Sequence, residues 1–318
     1  MNYIFLDEIQ HCKNFEKAVD SLFIKNNCDV YITGSNAYFM SGELATVLSG
    51  RYVEIQMLPL SFKEFNLGLD EQYGNLSLKE KFNLYVNYGS FPFITKYNNF
   101  TDDSKDYLQG IFDTILNKDI ARRLNIADTV SLENVTKFLL HSIGNKISPT
   151  KIANTLKSVG KSVDQKTVDK YIKGLVDSML IYEAGRYNIK GKQFLSTQSK
   201  YYVVDVGMRN ALVKSSESDI GHILENIVYL ELKRRYKNVY VGEIDSGEVD
   251  FVSVNDNKYE YYQVSATTLD ENRLKRELAP FGKIKDNYPK YLLTLDDVFS
   301  NADYNGVQKI NVLEWLLK

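Results

Sequence analysis

A short apolar run that ends in two acids, near the start of the chain, constrains the fold more than any other feature of the sequence. Ile4-Phe5-Leu6 has the pattern of a buried β-strand, and Asp7 and Glu8 follow it directly. Carboxylates at the tip of such a strand can hold Mg²⁺ and polarise an attacking water, or they can be ordinary acidic surface residues. The next strand-like run, in VYITGSN, ends in the polar pair Ser35-Asn36, and Arg51 in LSGRY precedes a third run. This context favours the interpretation as a site.

The first part of the chain alternates apolar strands with helical segments, which predicts a parallel α/β sheet. The predicted strands are Tyr3–Leu6, Val30–Thr33 and Tyr52–Met57, and the clearest helix is Phe15–Lys25. Because the chain opens on a strand pattern, we expect that the residues which preceded it have been lost. From Pro59 to about Leu140 apolar residues recur at three-to-four spacing, in LSFKEF, LKEKFNLYVNYG and YLQGIFDTILNKDIARRL. This spacing predicts a helical lid and connector.

A helix-turn-helix followed by two β segments is predicted between about Ser148 and Asp205. Ser148-Pro149-Thr150 is a typical helix start, and a second helix from about Asp164 carries an apolar face. That face consists of Val168, Ile172, Leu175, Val176 and Met179. The segments LIYEAGRYNI and KYYVVD then complete the order of elements of a winged helix-turn-helix.

Five motifs follow one another along the chain: IFLDEIQ, ITGSNA, LSGRYVEIQMLPLSFKEF, GSFP at Gly89–Pro92 and NKDIARR at Asn117–Arg123. In this order they resemble a bacterial and archaeal family of AAA-type P-loop ATPases, and the resemblance runs from residue 3 nearly to the C-terminus. It implies that Asp7 is the Walker B acid that binds Mg²⁺ and Glu8 the catalytic base. It also implies that Asn36 is a sensor of the γ-phosphate, that Arg51 is an arginine finger, and that a full-length member uses ATP and Mg²⁺.

The departure from that family lies upstream of Asp7. In the family a strand, a Gly-rich loop ending in Lys-Ser/Thr, its helix and a second strand come before the Walker B strand, and this chain lacks them. The loop supplies the N–H groups and the lysine that hold the β- and γ-phosphates. We therefore expect little or no ATPase activity, and no bound cofactor, from this chain alone. The missing first strand would lie between the second and third predicted strands, so their edges would be unpaired.

A second Gly-Lys-Ser occurs far downstream, in Ser158-Val159-Gly160-Lys161-Ser162. It lacks the first Gly of a phosphate-binding loop and follows a predicted helix rather than a strand. We interpret it as the turn of the helix-turn-helix.

From about Gly221 the pattern is helix, three strands, helix and strand, which predicts an α/β domain with a mixed sheet. In it Glu225, Asp250 and Gln263 resemble the metal ligands of PD-(D/E)xK nucleases, which share the restriction-nuclease fold. The third motif departs from that pattern, because it has Gln263 for Glu, and Ser265 for the Lys that assists catalysis. Lys275 on the following helix could replace that lysine. An active Mg²⁺-dependent nuclease and a degenerate domain that is structural or binds nucleic acid are both open, and the departure favours the second.

Lys166, Lys170 and Lys173, on the second helix of the helix-turn-helix, are candidates for contacts with nucleic acid. Three aspartates in and beside the same helix offset them, whereas helices that contact phosphates usually have a clear basic excess. DNA binding and a purely structural winged helix are therefore both open.

Composition excludes several classes of protein. The chain has 318 residues and a formal net charge of -2, so any surface for nucleic acid must be local. Cys12 and Cys28 are too few for a disulfide framework or a zinc site. No run reaches the ~18 apolar residues of a membrane span, and the first residues lack the pattern of a signal peptide. We expect a cytoplasmic protein without a membrane partner.

The sequence thus predicts an α/β protein in four parts. Residues 1–66 are a partial P-loop ATPase core with a parallel sheet, 67–140 a helical lid and connector, 141–205 a winged helix-turn-helix and 206–318 a restriction-nuclease-like domain. The first hypothesis is an AAA-type ATPase, truncated before its Walker B strand, that acts on a nucleic-acid or protein partner. The alternatives are a nucleic-acid-binding protein with a degenerate nuclease-like domain, and an active nuclease. The sequence does not predict the oligomeric state.

Overall fold

The computed structural model of the chain describes residues 1–9, 12–25, 27–35, 50–70, 73–96, 100–214, 216, 219–245, 247–256 and 258–318. Its strands are β1 Asn2–Leu6, β2 Cys28–Ile32, β3 Lys146–Ile147, β4 Ile181–Asn188, β5 Gln193–Val203, β6 Asn238–Ile244, β7 Gly247–Asn255, β8 Lys258–Ser265, β9 Lys290–Thr294, β10 Asp303–Tyr304 and β11 Val307–Asn311. Its α-helices are α1 Phe15–Phe23, α2 Phe62–Asp70, α3 Leu78–Tyr88, α4 Asp102–Thr114, α5 Thr129–His141, α6 Pro149–Ser158, α7 Gln165–Asp177, α8 Val206–Leu212, α9 Ile220–Arg235, α10 Glu271–Leu278 and α11 Val312–Leu316. Within these residues the strands form one sheet of two strands and one of nine.

The N-terminal unit is a parallel strand pair covered by one helix, which confirms the prediction for its first two strands and first helix. β1 and β2 run parallel, with Asn2 opposite Cys28 and Leu6 opposite Ile32. The buried contacts of this unit join Phe15 and Val19 of α1 to Leu6, Ile9, Val30 and Ile32. Because side chains alternate along a strand, Tyr3 and Phe5 of β1 lie on the other face of the pair, where both are exposed.

The strand predicted at Tyr52–Met57 is wrong. Residues 52–58 have no regular secondary structure, and Val53, Ile55 and Met57 are between 76% and 88% exposed. A strand needs hydrogen-bonding partners on a neighbouring strand. In the described part of the N-terminal region β1 and β2 pair with each other, and no strand lies alongside residues 52–57. The apolar pattern of this segment therefore has no neighbouring strand within the part of the chain that the structure describes.

The region from Pro59 to Leu140 is mainly helical, which confirms the predicted helical content, and its role as a lid and connector stays a prediction. Phe62 and Phe65 of α2 pack edge to face on Tyr85 of α3, and all three rings are buried. A π-helix, Ile115–Arg122, continues α4 without a break. Among the described residues no helix combines the length and the apolar character that crossing a bilayer requires.

Two helices joined by a short turn, and then a β-hairpin, occupy residues 149–203. Ser148 caps α6 by accepting from Lys151 N, and Asp164 caps α7 by accepting from Thr167 N, so both predicted helix starts are confirmed. The Gly-Lys-Ser segment forms the turn between the two helices, where Gly160 has a φ of 79°. Its interpretation as a turn is therefore confirmed.

The nine-stranded sheet joins this hairpin to the C-terminal strands. Its order is β10-β11-β9-β8-β7-β6-β4-β5-β3. β4 pairs antiparallel with β5 and parallel with β6, where Arg186 lies opposite Val241 and Asn188 opposite Glu243. The predicted mixed sheet is confirmed, because β7 and β8 are antiparallel while β8 and β9 are parallel. The predicted boundary between residues 205 and 206 does not separate two sheets, since both segments contribute strands to this one.

The GSFP segment, Gly89–Pro92, lies against the start of α8. Buried Asp205 accepts hydrogen bonds from Ser90 N at 2.5 Å, Ser90 Oγ at 2.8 Å and Met208 N at 2.7 Å. A Cβ at Gly207 would lie 2.1 Å from Gly89 N, so the two backbones touch and neither position has room for a larger residue. This contact ties the helical region to the C-terminal part of the chain.

Candidate functional site

The carboxyl ends of β1 and β2 bring Asp7 and Glu8 together with Thr33 and Ser35. Parallel strands in register end at the same edge of a sheet, so the residues that follow them meet there. Thr33 Oγ1 donates to the Asp7 carboxylate, and Glu8 N donates to Thr33 Oγ1 at 3.1 Å. Ser35 Oγ donates to Glu8 Oε2 at 3.2 Å. These bonds fix the segment after β1 to the segment after β2.

The backbone at this edge adopts an uncommon conformation. Glu8 has a φ of 47°, in the left-handed region that is unfavourable for a residue with a Cβ. Backbone bonds on both sides support it, because Thr33 N donates to Leu6 O at 3.0 Å and Ile9 N to Thr33 O at 3.4 Å. Strained residues of this kind cluster where a site holds its groups in place. The turn leaves Asp7 exposed and Glu8 partly exposed.

The chemistry of this edge suits a small, hard cation. It offers two carboxylates and two hydroxyls, and Mg²⁺ binds through oxygen, commonly with one or two carboxylates, water and the phosphates of a ligand. Among the described residues no three His, Cys, Asp or Glu side chains converge as a metal site. The two acids are therefore suited to share an ion with a ligand rather than to cage it alone.

Two other residues predicted for this site stand apart from the acids. Asn36 lies outside the described residues. Arg51 Nη1 pairs with Asp20 Oδ1 at 2.8 Å, and its guanidinium carbon lies 5.8 Å from the centre of the Phe23 ring. Both partners belong to the covering helix α1, so Arg51 is bound to that helix. Its role as an arginine finger stays a prediction.

The acids predicted in the C-terminal half converge on a buried lysine. Lys200 of β5 is 3% exposed, and its Nζ lies 2.8 Å from Glu225 Oε1, 3.0 Å from Glu248 Oε1 and 3.7 Å from Asp250 Oδ1. The buried Tyr202 hydroxyl donates to Glu225 Oε1 at 2.6 Å. An ammonium group thus occupies the space between carboxylates that a metal ion would need.

Burial and the lysine charge shift the pKa values of the two principal acids in opposite directions. Burial alone would raise the pKa of Glu225, but the charge of Lys200 and hydrogen bonds to the carboxylate outweigh it and lower the pKa. Burial raises the pKa of Asp250 well above its ordinary value, and the negative charge of Glu225 adds to the rise. The charge of Lys200 thus favours the ionised form of Glu225, and burial favours the protonated form of Asp250.

Gln263 and Lys275 do not complete a metal site. Gln263 Oε1 accepts from Asp250 N at 3.3 Å, and Gln263 Nε2 donates to Glu277 Oε2 at 2.9 Å. Both ends of this amide are thus used within the protein. Lys275 is exposed on α10 and pairs with Glu271 at 2.7 Å, so Lys200 is the lysine that reaches the acids. The assignment of Glu225, Asp250 and Gln263 as metal ligands stays a prediction, and these contacts disfavour it.

The three lysines predicted for nucleic acid all lie exposed on α7. Lys170 Nζ donates at 2.9 Å to Leu124 O, in the turn that follows the π-helix. Lys166 and Lys173 lie on the same helix at positions open to solvent.

Sequence reasoning missed Thr33, Lys200 and Glu248. Thr33 directly precedes the Gly-Ser pair at the tip of β2, so its position beside the acids could have been predicted from the sequence. Glu248 lies two residues before Asp250, and alternation along a strand places the two on the same side of β7. The only signal for Lys200 is a lone cation before the apolar run YYVV.

Two protein families match successive parts of the chain. Residues 1–66 match the AAA domain family. Residues 79–219 match a domain of unknown function, DUF8612.

Two longer proteins are similar to nearly the whole chain. An uncharacterized protein of Haemophilus influenzae is 39% identical over 316 residues, which are 99% of this chain and 78% of that protein. The uncharacterized protein MJ1544 of Methanocaldococcus jannaschii is 33% identical over 324 residues, which are 97% of this chain and 70% of that protein. Among solved structures, the Walker-type ATPase PABY2304 of Pyrococcus abyssi superposes with a TM-score of 0.46 and 12% identity, over 66% of this chain and 62% of that chain.

Proposed function

The chain belongs to a family of AAA-type P-loop ATPases, and on that basis we propose that the carboxyl ends of β1 and β2 are the magnesium and water-activating side of an ATP site. One observation carries the proposal. Thr33 joins two accessible acids, Asp7 and Glu8, at the shared end of two parallel strands.

Each residue of this edge has a role in the proposal. Asp7, oriented by Thr33, would hold Mg²⁺ through a water molecule. Glu8, oriented by Ser35 and by its left-handed backbone, would polarise the water that attacks the γ-phosphate. When bound, Mg²⁺ neutralises charge on the phosphates. The acids supply the oxygen ligands that such an ion prefers, so the donor set fits.

Asn36 and Arg51 enter the proposal as a γ-phosphate sensor and an arginine finger. Arg51 would have to exchange Asp20 for a phosphate. Its pair with Asp20 is on the surface, with the two side chains 47% and 31% exposed. Such pairs are typically worth about 0–1 kcal/mol, so the exchange is accessible.

The phosphates of a nucleotide need donors in addition to these acids. The described side chains at this edge are carboxylates and hydroxyls, and the Gly-Lys-Ser segment at residues 160–162 is the turn between α6 and α7. We therefore propose that the 318-residue chain binds ATP weakly and hydrolyses it slowly. Calorimetry at millimolar ATP should detect no saturable binding. Tight binding would contradict the proposed weak affinity, but it would not contradict the proposed location of the site.

A paramagnetic ion locates the site even when binding is weak. Mn²⁺ with ATP should broaden the amide resonances of Asp7, Glu8 and Thr33, because these residues lie around the proposed ion. Asp7→Asn should reduce the broadening, whereas Asp103→Asn, which changes an exposed acid of α4, should leave it unchanged. Broadening centred elsewhere, or full broadening in Asp7→Asn, would contradict the proposed site.

We also infer a second function, recognition of nucleic acid without cleavage, and the Lys200 centre is the observation that argues against cleavage. The ammonium group already neutralises Glu225, and a metal ion could enter only by displacing it from the protein interior. The C-terminal part then acts as a degenerate nuclease-like domain. The order of α6, α7, β4 and β5 supports a winged helix-turn-helix beside it.

Cleavage assays separate this function from an active nuclease. With plasmid DNA and Mg²⁺ or Mn²⁺, we expect the parent and Asp250→Ala to show the same background. The assignment as degenerate would be overturned if the parent cleaves the plasmid, Asp103→Ala cleaves it equally well and Asp250→Ala does not.

A further inference from the structure

Charge is segregated along this chain. Residues 141–205 contain 11 Lys and Arg against five Asp and Glu, whereas the other residues contain 28 against 36. The segment is thus strongly basic in a protein whose net charge is -2. A local excess of this kind attracts polyanions even when the whole molecule does not.

The excess lies on the surface, because the inner cations of the segment are already paired with acids of the C-terminal part. Lys200 contacts Glu225 at 2.8 Å, and Arg186 contacts Glu243 at 2.6 Å. Lys146 contacts Glu243 and also Glu248. The exposed cations are Lys151, Lys157, Lys161, Lys166, Lys170, Lys173, Lys190 and Lys192, and the exposed acids are Asp164, Asp169 and Glu183.

Six of these cations lie between residues 151 and 173, on α6, the turn and α7. We call them the lysine face: Lys151, Lys157, Lys161, Lys166, Lys170 and Lys173. The apolar sides of both helices are buried, with Ile152 and Leu156 of α6 and Val168 and Leu175 of α7 inside the core. The lysines therefore occupy the sides that remain in solvent.

Helix α7 is open along a narrow strip. A Cβ at Gly174 would lie 2.8 Å from Leu124 Cδ1, so that side of the helix packs on the preceding helical segment. Lys166, Asp169 and Lys173 lie on the exposed strip. Lysine is a flexible point charge that suits phosphate oxygens, while reading of bases needs side chains that lie against base edges. The strip is thus suited to backbone contacts.

We propose that the lysine face binds the phosphate backbone of duplex DNA without strong sequence preference. The inference rests on the second proposed function and names its surface and partner. The B-DNA major groove, about 12 Å wide, admits a helix, whereas the deep and narrow major groove of A-form RNA does not. Single strands are held largely by stacking on aromatic rings, and Tyr171, the one aromatic residue between 151 and 173, is buried.

A matched pair of variants tests the proposal. The first carries Lys151→Gln, Lys157→Gln, Lys166→Gln and Lys173→Gln, for whose side chains the described residues provide no hydrogen-bonding or ionic partner. The control carries Lys237→Gln, Lys258→Gln, Lys275→Gln and Lys285→Gln, which are also exposed and change the net charge equally. Binding of a labelled duplex is measured by fluorescence anisotropy at several salt concentrations, and circular dichroism checks that both variants fold.

At about 50 mM salt we expect the first variant to bind at least about tenfold more weakly than the parent, with the control close to the parent. The log–log slope of affinity against salt should become shallower by about 0.9 for each phosphate that the variant no longer neutralises. If the affinity falls equally in both variants, or does not fall in the first, the lysine face is not the binding surface, although the protein still binds nucleic acid. Absence of any binding by the parent at low salt would remove the second proposed function as well. Equal affinity for duplex RNA or single strands would overturn the choice of partner. If the quadruple variant unfolds, Lys151→Gln/Lys157→Gln and Lys166→Gln/Lys173→Gln are tested separately.

Discussion

The protein holds two pairs of carboxylates in opposite surroundings. Asp7 and Glu8 end a two-stranded sheet, accept bonds from hydroxyl groups and remain accessible to solvent. Glu225 and Asp250 are each 7% exposed and share the ammonium of Lys200. The first pair is bonded by the hydroxyl groups of Thr33 and Ser35, and the second has a cation built into the chain. The first pair is thus open to solvent, whereas the positive charge of Lys200 already compensates the second pair in the interior.

Among the variants that test this comparison, we expect Lys200→Met to have the largest effect on stability. Methionine fills similar volume but leaves the buried carboxyl group of Glu225 without its cation. Removing one partner of a buried pair typically costs about 3–5 kcal/mol, so we expect a loss of that size in the free energy of unfolding. Urea denaturation measures it, with Lys258→Met as the control on an exposed lysine of β8.

The double variant Lys200→Met/Glu225→Gln shows whether the loss comes from this pair. If it does, removing the orphaned charge should recover part of the stability, because the two changes are coupled. A loss in Lys200→Met below about 1 kcal/mol, or additive effects in the double variant, would break the contrast between the two pairs.

Tyr202→Phe is a smaller test of the buried pair. It removes the hydroxyl that donates to Glu225 at 2.6 Å, and hydrogen bonds to charged groups contribute about 1.5–3 kcal/mol. The matched control is Tyr182→Phe, since the buried Tyr182 hydroxyl has no hydrogen-bond partner among the described residues. Thermal denaturation should show Tyr202→Phe clearly destabilised and Tyr182→Phe unchanged or slightly stabilised. Equal effects would mean that the hydroxyl of Tyr202 adds nothing specific.

The pH dependence of stability tests the protonation of Asp250. Its pKa is raised in the folded state, so its protonation stabilises the fold at low pH, and that contribution is lost as the pH rises from about 3.8 through the folded pKa. Each unit between the two pKa values corresponds to about 1.4 kcal/mol. In Asp250→Asn, whose amide cannot ionise, denaturation between pH 4 and pH 8 should show a shallower decline than in the parent. A steeper or equal decline would contradict the raised pKa of Asp250.

Glu225 should act in the opposite direction. Because its pKa is lowered on folding, its contribution is complete above about 4.5 and is lost as the pH falls through the folded pKa. In Glu225→Gln, with a side chain that no longer titrates, the acid-induced loss of stability below pH 4.5 should therefore be smaller than in the parent.

Local patterns were sufficient to predict β1, β2, α1, α6 and α7. The helices α6 and α7 are specified by neighbours within a few residues, since Ser148 and Asp164 cap them, whereas β1 and β2 also depend on pairing with each other. The predicted strand at Tyr52–Met57 failed because a strand depends on a partner that its own residues do not specify. An apolar pattern therefore shows that a segment could pair, and the partner decides whether it does.

The Lys200 centre could not be predicted for a related reason. It forms because β4 pairs with both β5 and β6, which brings the side chain of Lys200 within reach of Glu225 on α9 and Asp250 on β7. Lys200 and Asp250 are 50 positions apart in the sequence, and no motif spans both. Motif reasoning found the acids Glu225 and Asp250 but assigned them an external cation. By contrast Asp7 and Glu8 lie at the end of their own strand, where the sequence already showed their position.

The smallest effect on stability is expected at the exposed pair. Asp7→Asn keeps an acceptor for the Thr33 hydroxyl, and substitutions at exposed positions usually change stability by about 0.5 kcal/mol or less. The same change should nevertheless reduce the broadening caused by Mn²⁺ with ATP, because an amide oxygen is a weaker ligand than a carboxylate. Urea denaturation and the paramagnetic measurement on one sample would thus separate a residue kept for binding from one kept for folding. If Asp7→Asn cost as much stability as Lys200→Met, the acids at the end of β1 would be structural, and the difference between the two pairs would disappear.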